Sequence, residues 1–236
     1  MLLLLILLIS VNPFYEANFT SLAMRSISVF SNPGGLGILP GAECFFAYDP
    51  DRLVTGASLA NLGIGMTKDD SITYYEVGLG YKLPGAFSLG YAHQFDVKDF
   101  DISNHIFGLI CSPNRYISIG YKTTIGEKNH MFGGMSIKPL QEYITVSVDL
   151  EYEGNDSIFT YYYGAMLRPI QGLTIHFRAD EDFNWHAGIG LSLEKIKLAG
   201  AYSKADKKFS GGIILSAQSY ETLLPKSGDN YGDAFY

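Results

Sequence analysis

Residues 143–153 alternate between two kinds of side chain without a break. Ile144, Val146, Val148, Leu150 and Tyr152 fall on one face, and Tyr143, Thr145, Ser147, Asp149, Glu151 and Glu153 on the other. Successive side chains of a strand point to opposite sides of a sheet, so a period of two sustained this long specifies a strand. No helix sorts these residues in this way.

The pattern recurs over 71–83, 87–95, 117–122, 159–167, 173–180, 184–193, 196–203 and 209–216, while 105–111 is a mixed strand candidate and 130–138 a glycine-rich, ambiguous one. Residues 58–67 read as one more strand, with Ser58, Ala60, Leu62, Ile64 and Met66 on a single face, and 42–48 is a weaker first candidate. The count is thirteen candidates, twelve of them from Ser58 onward. Tight turns at 84–85, 112–115, 139–142, 169–172 and 194–195 alternate with more polar connections rich in Asp, Lys and Asn. The prolines at 84, 113, 139 and 169 recur once per hairpin, which describes an up-and-down meander. Short turns on one rim and longer polar ones on the other are the asymmetry of outer-membrane barrels.

Only 17% of the residues are charged, against roughly 25% in a soluble domain. The polar faces are mostly Gly, Ser, Thr and Asn, whereas a soluble barrel would carry a charge-rich outer face. Tyr and Phe gather near strand ends, as in an aromatic girdle. The expected fold is therefore all-β: an antiparallel up-and-down transmembrane β-barrel of about twelve strands (twelve to fourteen), with its apolar faces on membrane lipid. An even count is expected of such barrels. Strands of this length, tilted by about 45°, match a bilayer core. The formal charge of −7 argues against nucleic acid as a partner.

Four regions follow. Residues 1–17 contain an apolar Leu/Ile run too short for a membrane helix and read as a secretory signal peptide. Residues 18–40 lack strand pattern and are placed to plug the lumen, with a short helix expected over 21–30 and a Gly/Pro turn over 31–37. Residues 41–217 form the barrel, and 218–236 a polar tail or linker. Cys44 and Cys111 have no metal-ligand spacing; they are packing residues or one disulfide.

The turn Ser31-Asn-Pro-Gly-Gly-Leu-Gly, after a short helix-prone stretch, resembles the FadL and PorV group of outer-membrane barrels. Asn32, Pro33, Gly34, Gly35 and Leu36 carry that motif, with Gly34 where the group commonly has Ala. Residues 57–66 (Ala-Ser-Leu-Ala-Asn-Leu-Gly-Ile-Gly-Met) and 222–226 (Thr-Leu-Leu-Pro-Lys) look closest to a barrel that precedes an SppA-like signal peptide peptidase domain. The resemblance implies residence in the bacterial outer membrane and one of two functions. One is passive, porin-like transport of a small hydrophobic solute; the other is a non-catalytic anchor for a periplasmic protein partner, a peptidase or secretion machinery.

Within the barrel, Glu76, Lys122, Asp149, Glu151, His176, Arg178, Asn184 and His186 are the lumen-lining candidates, a polar path or a set of charges paired across the lumen. His176 and His186 lack a third ligand, so no metal is expected, and no sequence motif calls for a cofactor. No GxSxG, HExxH or GxGxxG occurs, and the expectation is a non-enzyme.

Overall fold

A computed structural model describes residues 12–219 apart from 23, 40, 70–71, 97–102, 127–128, 141–142 and 155–157. The apolar run at 1–9 and the tail from 220 onward lie outside the described residues. The strands are β1 (Gly41–Asp49), β2 (Arg52–Ala60), β3 (Leu62–Asp69), β4 (Thr73–Lys82) and β5 (Phe87–Asp96). They continue with β6 (Ser103–Asn114), β7 (Ile117–Ile125), β8 (His130–Ile137), β9 (Ile144–Glu153) and β10 (Ile158–Ile170). The last four are β11 (Leu173–Asp180), β12 (Trp185–Leu193), β13 (Ile196–Ser203) and β14 (Lys208–Ser216). Each pairs antiparallel with its neighbours in sequence, and β1 pairs with β14 to close the ring. Closure leaves no strand edge open to another chain.

The barrel has fourteen strands rather than about twelve. The difference comes from residues 58–67, which are the end of β2, a two-residue turn and the start of β3. Leu59 pairs with Leu62 across Ala60 and Asn61, and both leucines face outward. A two-residue turn shifts the alternation by one, so Ser58 is buried on the inner face while Leu62 and Ile64 are exposed on the outer one. Ala60 takes a positive φ of 52° to make the turn. Strand β1 joins the wall, although its alternation is poor because its inward Phe45 and Ala47 meet apolar side chains instead of water.

Two prolines expected in tight turns lie inside strand ends. The register shifts between Cys111 and Asn114 and between Leu167 and Ile170, around Pro113 and Pro169. Proline has no N–H to give the ladder, so it is accommodated where pairing is interrupted.

The faces sort as a membrane barrel requires. On β9 the residues Thr145, Ser147, Asp149, Glu151 and Glu153 are buried inside, while Val146 and Val148 are exposed. Leu59, Leu79, Ile119, Ile175, Ile189 and Leu215 are among the apolar side chains on the outer face. Outward ring contacts cluster toward the rim with the longer connections, including Tyr75 with Phe95, Tyr152 with Phe159, Trp185 with Phe177 and Tyr202 with Phe209. Tyr81, Phe87 and Tyr143 are exposed near the other rim. Both cysteines are free, with Cys44 exposed on the outer face of β1.

The described residues between 12 and 39 pack against inward-facing residues of the ring. They contain a 3-10 turn at Tyr15–Asn18 and two single-turn helices, α1 (Ser28–Ser31) and α2 (Gly35–Ile38). The helix expected over 21–30 is thus reduced to one turn, and part of the expected Gly/Pro turn is α2. Phe14, Tyr15, Phe19, Ile27, Val29 and Leu36 are almost fully buried against the wall or one another. Burial of each such side chain stabilises the arrangement by about 1.5–3 kcal/mol. The buried Phe14 and Tyr15 and the partly buried Glu16 lie in the part of the chain read as a leader.

Candidate functional site

The lumen is divided along its length. Toward the rim with the longer connections there is a cavity of about 250 Å³, lined on the wall by Arg52, Glu76, Gln94, Asn104, Lys122, Asp149, Tyr162 and Arg178. Its floor is the inner segment, through Asn18, Phe19, Thr20, Ile27, Phe30 and Ser31. Below that floor the segment fills the space with its own apolar side chains.

Thr20 fixes the floor. Its N–H and its hydroxyl both donate to Asp149 Oδ2 on β9, at 2.8 and 2.9 Å. Its carbonyl accepts a 2.8 Å bond from Asn32 Nδ2, which also donates to the carbonyls of Leu109 at 3.2 Å and Tyr121 at 3.3 Å. Asn32 Oδ1 accepts from the Gly34 N–H at 3.0 Å, so this fully buried amide joins the segment to β6 and β7. Ser118 Oγ donates to the Ser21 carbonyl at 2.6 Å, and Ser88 Oγ to the Gly34 carbonyl at 2.7 Å. The motif residues Asn32, Pro33, Gly34, Gly35 and Leu36 are all buried in this region.

Gly90 and Gly120 explain how the backbone approaches so closely. A Cβ on Gly90 would fall on the Pro33 carbonyl, and one on Gly120 on the Thr20 carbonyl. The wall is hollowed where the segment touches it.

Ion pairs hold the opposite end. Glu16 Oε1 lies 2.9 Å from Lys197 Nζ and 3.6 Å from Arg168 Nη2, and Arg25 Nη1 lies 3.6 Å from Glu43 Oε2. Ser26 gives Glu43 two further bonds, from its N–H at 3.0 Å and its hydroxyl at 2.6 Å. Burial alone would raise the Glu16 pKa, but the two cations outweigh it and hold the carboxyl down to about 2. Tyr15 and His176 are the neighbouring titratable groups. Because the folded value lies below the ordinary 4.5, this carboxylate contributes stability above about pH 4.5 and loses it as the pH falls toward about 2. The full contribution is about 3 kcal/mol at most. The segment is expected to become more accessible to an acid-active protease as the pH drops through that window. Glu16→Gln is expected to flatten the dependence, and an equally steep profile in the variant would remove Glu16 as its source.

The other sequence candidates are placed as follows. Glu76 accepts from Gln94 Nε2 at 2.6 Å, and Gln94 Oε1 accepts from Asn104 Nδ2 at 2.8 Å, a polar chain across β4, β5 and β6. Glu151 accepts from the Tyr162 hydroxyl at 2.9 Å and lies 3.4 Å from His130 Nδ1. Lys122 Nζ sits 4.5 Å from the centre of the Phe132 ring, and the Arg178 guanidinium 4.0 Å from that of Tyr162. His176 packs on Tyr15 and His186 pairs in register with Arg178. Asn184 stands in the β11–β12 connection and donates to Asp180 at 2.9 Å, away from the group around the cavity. No cluster of three potential metal ligands occurs among the described residues. Gln94 was legible from its inward strand position, whereas Asn104 lies outside the strand expected over 105–111 and inside β6; Thr20 and Glu16 carried no sequence signal, since the segment has no period.

No protein-family model matches the chain, and no curated protein sequence matches it. Among solved structures it is similar to the outer membrane protein Omp33 of Acinetobacter baumannii, at 8% identity and a TM-score of 0.53, covering 76% of this chain and 99% of that one. The Rhodopseudomonas blastica porin aligns at 11% identity and a TM-score of 0.46, over 75% of this chain and 99% of that one. The KdgM porin, solved with a disordered oligogalacturonate, aligns at 13% identity and a TM-score of 0.42, over 75% of this chain and 98% of that one. With the closed ring and its lipid-facing outer surface, the architecture is that of a bacterial outer-membrane β-barrel.

Proposed function

We propose that this chain is a gated transport barrel, in which residues 12–39 act as a hatch beneath a polar vestibule. The observation that carries the reading is the division of the lumen into a cavity on one side and a non-covalently held segment on the other. Fourteen strands fall between eight, where side chains fill the interior, and sixteen, where water does. An open barrel of this size would conduct, and the segment is what closes it. The apolar run at 1–9 supports export by a leader, and the resemblance to FadL-type and PorV-type barrels rests on the motif around Asn32.

The resemblance implies hydrophobic solutes, but the vestibule favours small polar ones. Arg52, Glu76, Gln94, Asn104 and Lys122 line it, and an apolar molecule would have to strip them of water without replacing their hydrogen bonds. In a planar bilayer, removing residues 12–39 is expected to raise conductance from negligible to that of a stable open pore. A barrel that folds without the segment and still does not conduct would sink the reading.

A second reading is favoured by the hollowed wall. Gly90 and Gly120 fit the segment so closely that the lumen is suited to permanent filling, as in an anchor for a periplasmic partner. On that reading the intact barrel never conducts, and a partner co-purifies with it through the short-turn rim under mild extraction.

A further inference from the structure

The vestibule uses its carboxylates and its cations differently. Asp149 accepts from Thr20 through Oδ2, Glu76 from Gln94 through Oε1, and Glu151 from Tyr162 with His130 3.4 Å away, so each acid has a donor of its own, although Asp149 Oδ1 and Glu76 Oε2 carry no bond among the described residues. Lys122 and Arg178 are instead laid on aromatic faces, Phe132 and Tyr162, and the Phe19 ring centre also lies 5.8 Å from the Arg178 guanidinium. Among the described residues no carboxylate lies within 4.0 Å of either cation. Arg178 Nε is buried without an acceptor among the described residues, and Lys122 Nζ reaches the Phe30 carbonyl at 3.5 Å. Stacking on a ring fixes where a cation stands while leaving its N–H donors unspent. Both line the same cavity.

We propose that Lys122 and Arg178 are the recognition groups for a small organic anion with a flat, apolar body, whose charged end they bind while Phe19, Phe30, Phe132 and Tyr162 contact its body. This rests on the reading of the vestibule as the entrance to a solute path and names the solute class. Guanidinium donors suit a planar carboxylate, which accepts two parallel bonds. The nearby Glu76, Asp149 and Glu151 keep the site from becoming strongly positive. Occupancy is therefore brief, as a path requires: a solute must bind well enough to enter and weakly enough to leave.

The test is titration of the purified full chain in detergent with benzoate, followed by ligand-observed NMR, with benzamide as the neutral isostere. Saturable benzoate binding in the millimolar range is expected, with benzamide weaker by about tenfold or more. Arg178→Gln and Lys122→Gln should each weaken benzoate by about tenfold, and Arg178→Lys should recover part of the loss. Heat-modifiable migration on a gel checks that each variant is folded. Equal binding of benzamide and benzoate, absence of saturable binding, or wild-type affinity in both Gln variants would each overturn the assignment. Bilayer conductance separates the two levels. Anion binding without any conductance, with or without the segment, sinks the transport reading and leaves the site standing. Conductance that benzoate neither blocks nor follows sinks the site and leaves transport standing.

Discussion

Gly120→Val is expected to expel the inner segment while leaving the barrel closed. The added Cβ would coincide with the Thr20 carbonyl and crowd the Ser21 N–H, which are backbone atoms with no rotamer to yield. Overpacking of this kind costs about 1–3 kcal/mol even where side chains can shift. Here Thr20 is also pinned to Asp149 and Asn32, so displacement forfeits those bonds together. The wall loses little, because the β7 ladder does not depend on what lies inside it. The measurement is single-channel conductance, with protease accessibility of residues 12–39 as a second readout. A closed channel and a protected segment in the variant would mean the contact is slack. Gly133, where an added Cβ meets nothing within 4 Å, provides the control: Gly133→Val should behave as wild type.

Asn32→Asp is expected to have the second large effect. The side-chain amide donates from one nitrogen toward three carbonyl oxygens, those of Thr20, Leu109 and Tyr121. Aspartate has the same shape but offers those carbonyls an acceptor, and places a buried charge among three carbonyl oxygens. Each buried polar group left without its bond costs about 1–3 kcal/mol, and a charged one costs more. The variant should therefore lose the segment's docking more completely than Asn32→Ala, which removes the donor without adding charge. Limited proteolysis of both variants orders them. Equal protection of Asn32→Asp and wild type would show that this amide does not hold the segment.

The wall was legible in the sequence because lipid outside and small polar groups inside give most strands from β4 onward a period of two, with β6 mixed and β8 blurred by its glycines. The reading failed where that contrast lapses. At 58–67 a two-residue turn reset the alternation under a run of similar small residues, and one hairpin was read as one strand. In β1 both faces are apolar, since Phe45 and Ala47 pack on Phe14, Met24 and Ile27. The site was half legible. Inward positions such as Glu76, Asp149 and Arg178 follow from parity, but their partners do not: Thr20 meets an Asp149 that is 129 residues away, and Asn32 meets Leu109 across 77. The inward glycines were visible as composition, yet only the docked segment shows what they make room for.

The pairing of β1 with β14 has a consequence for the order of assembly. Every other strand contact joins sequence neighbours and can zip up hairpin by hairpin, whereas this seam joins residues such as Cys44 and Leu215 from opposite ends of the chain. Loop closure over that separation is the slowest kind of contact to form. The segment precedes β1 in the chain and touches inward residues of strands on several sides of the ring. Threading it through a finished ring would mean dragging Phe14, Tyr15 and Phe19 past a wall fitted to them. A segment so placed fits a ring that closes with it already inside, the seam between β1 and β14 forming last.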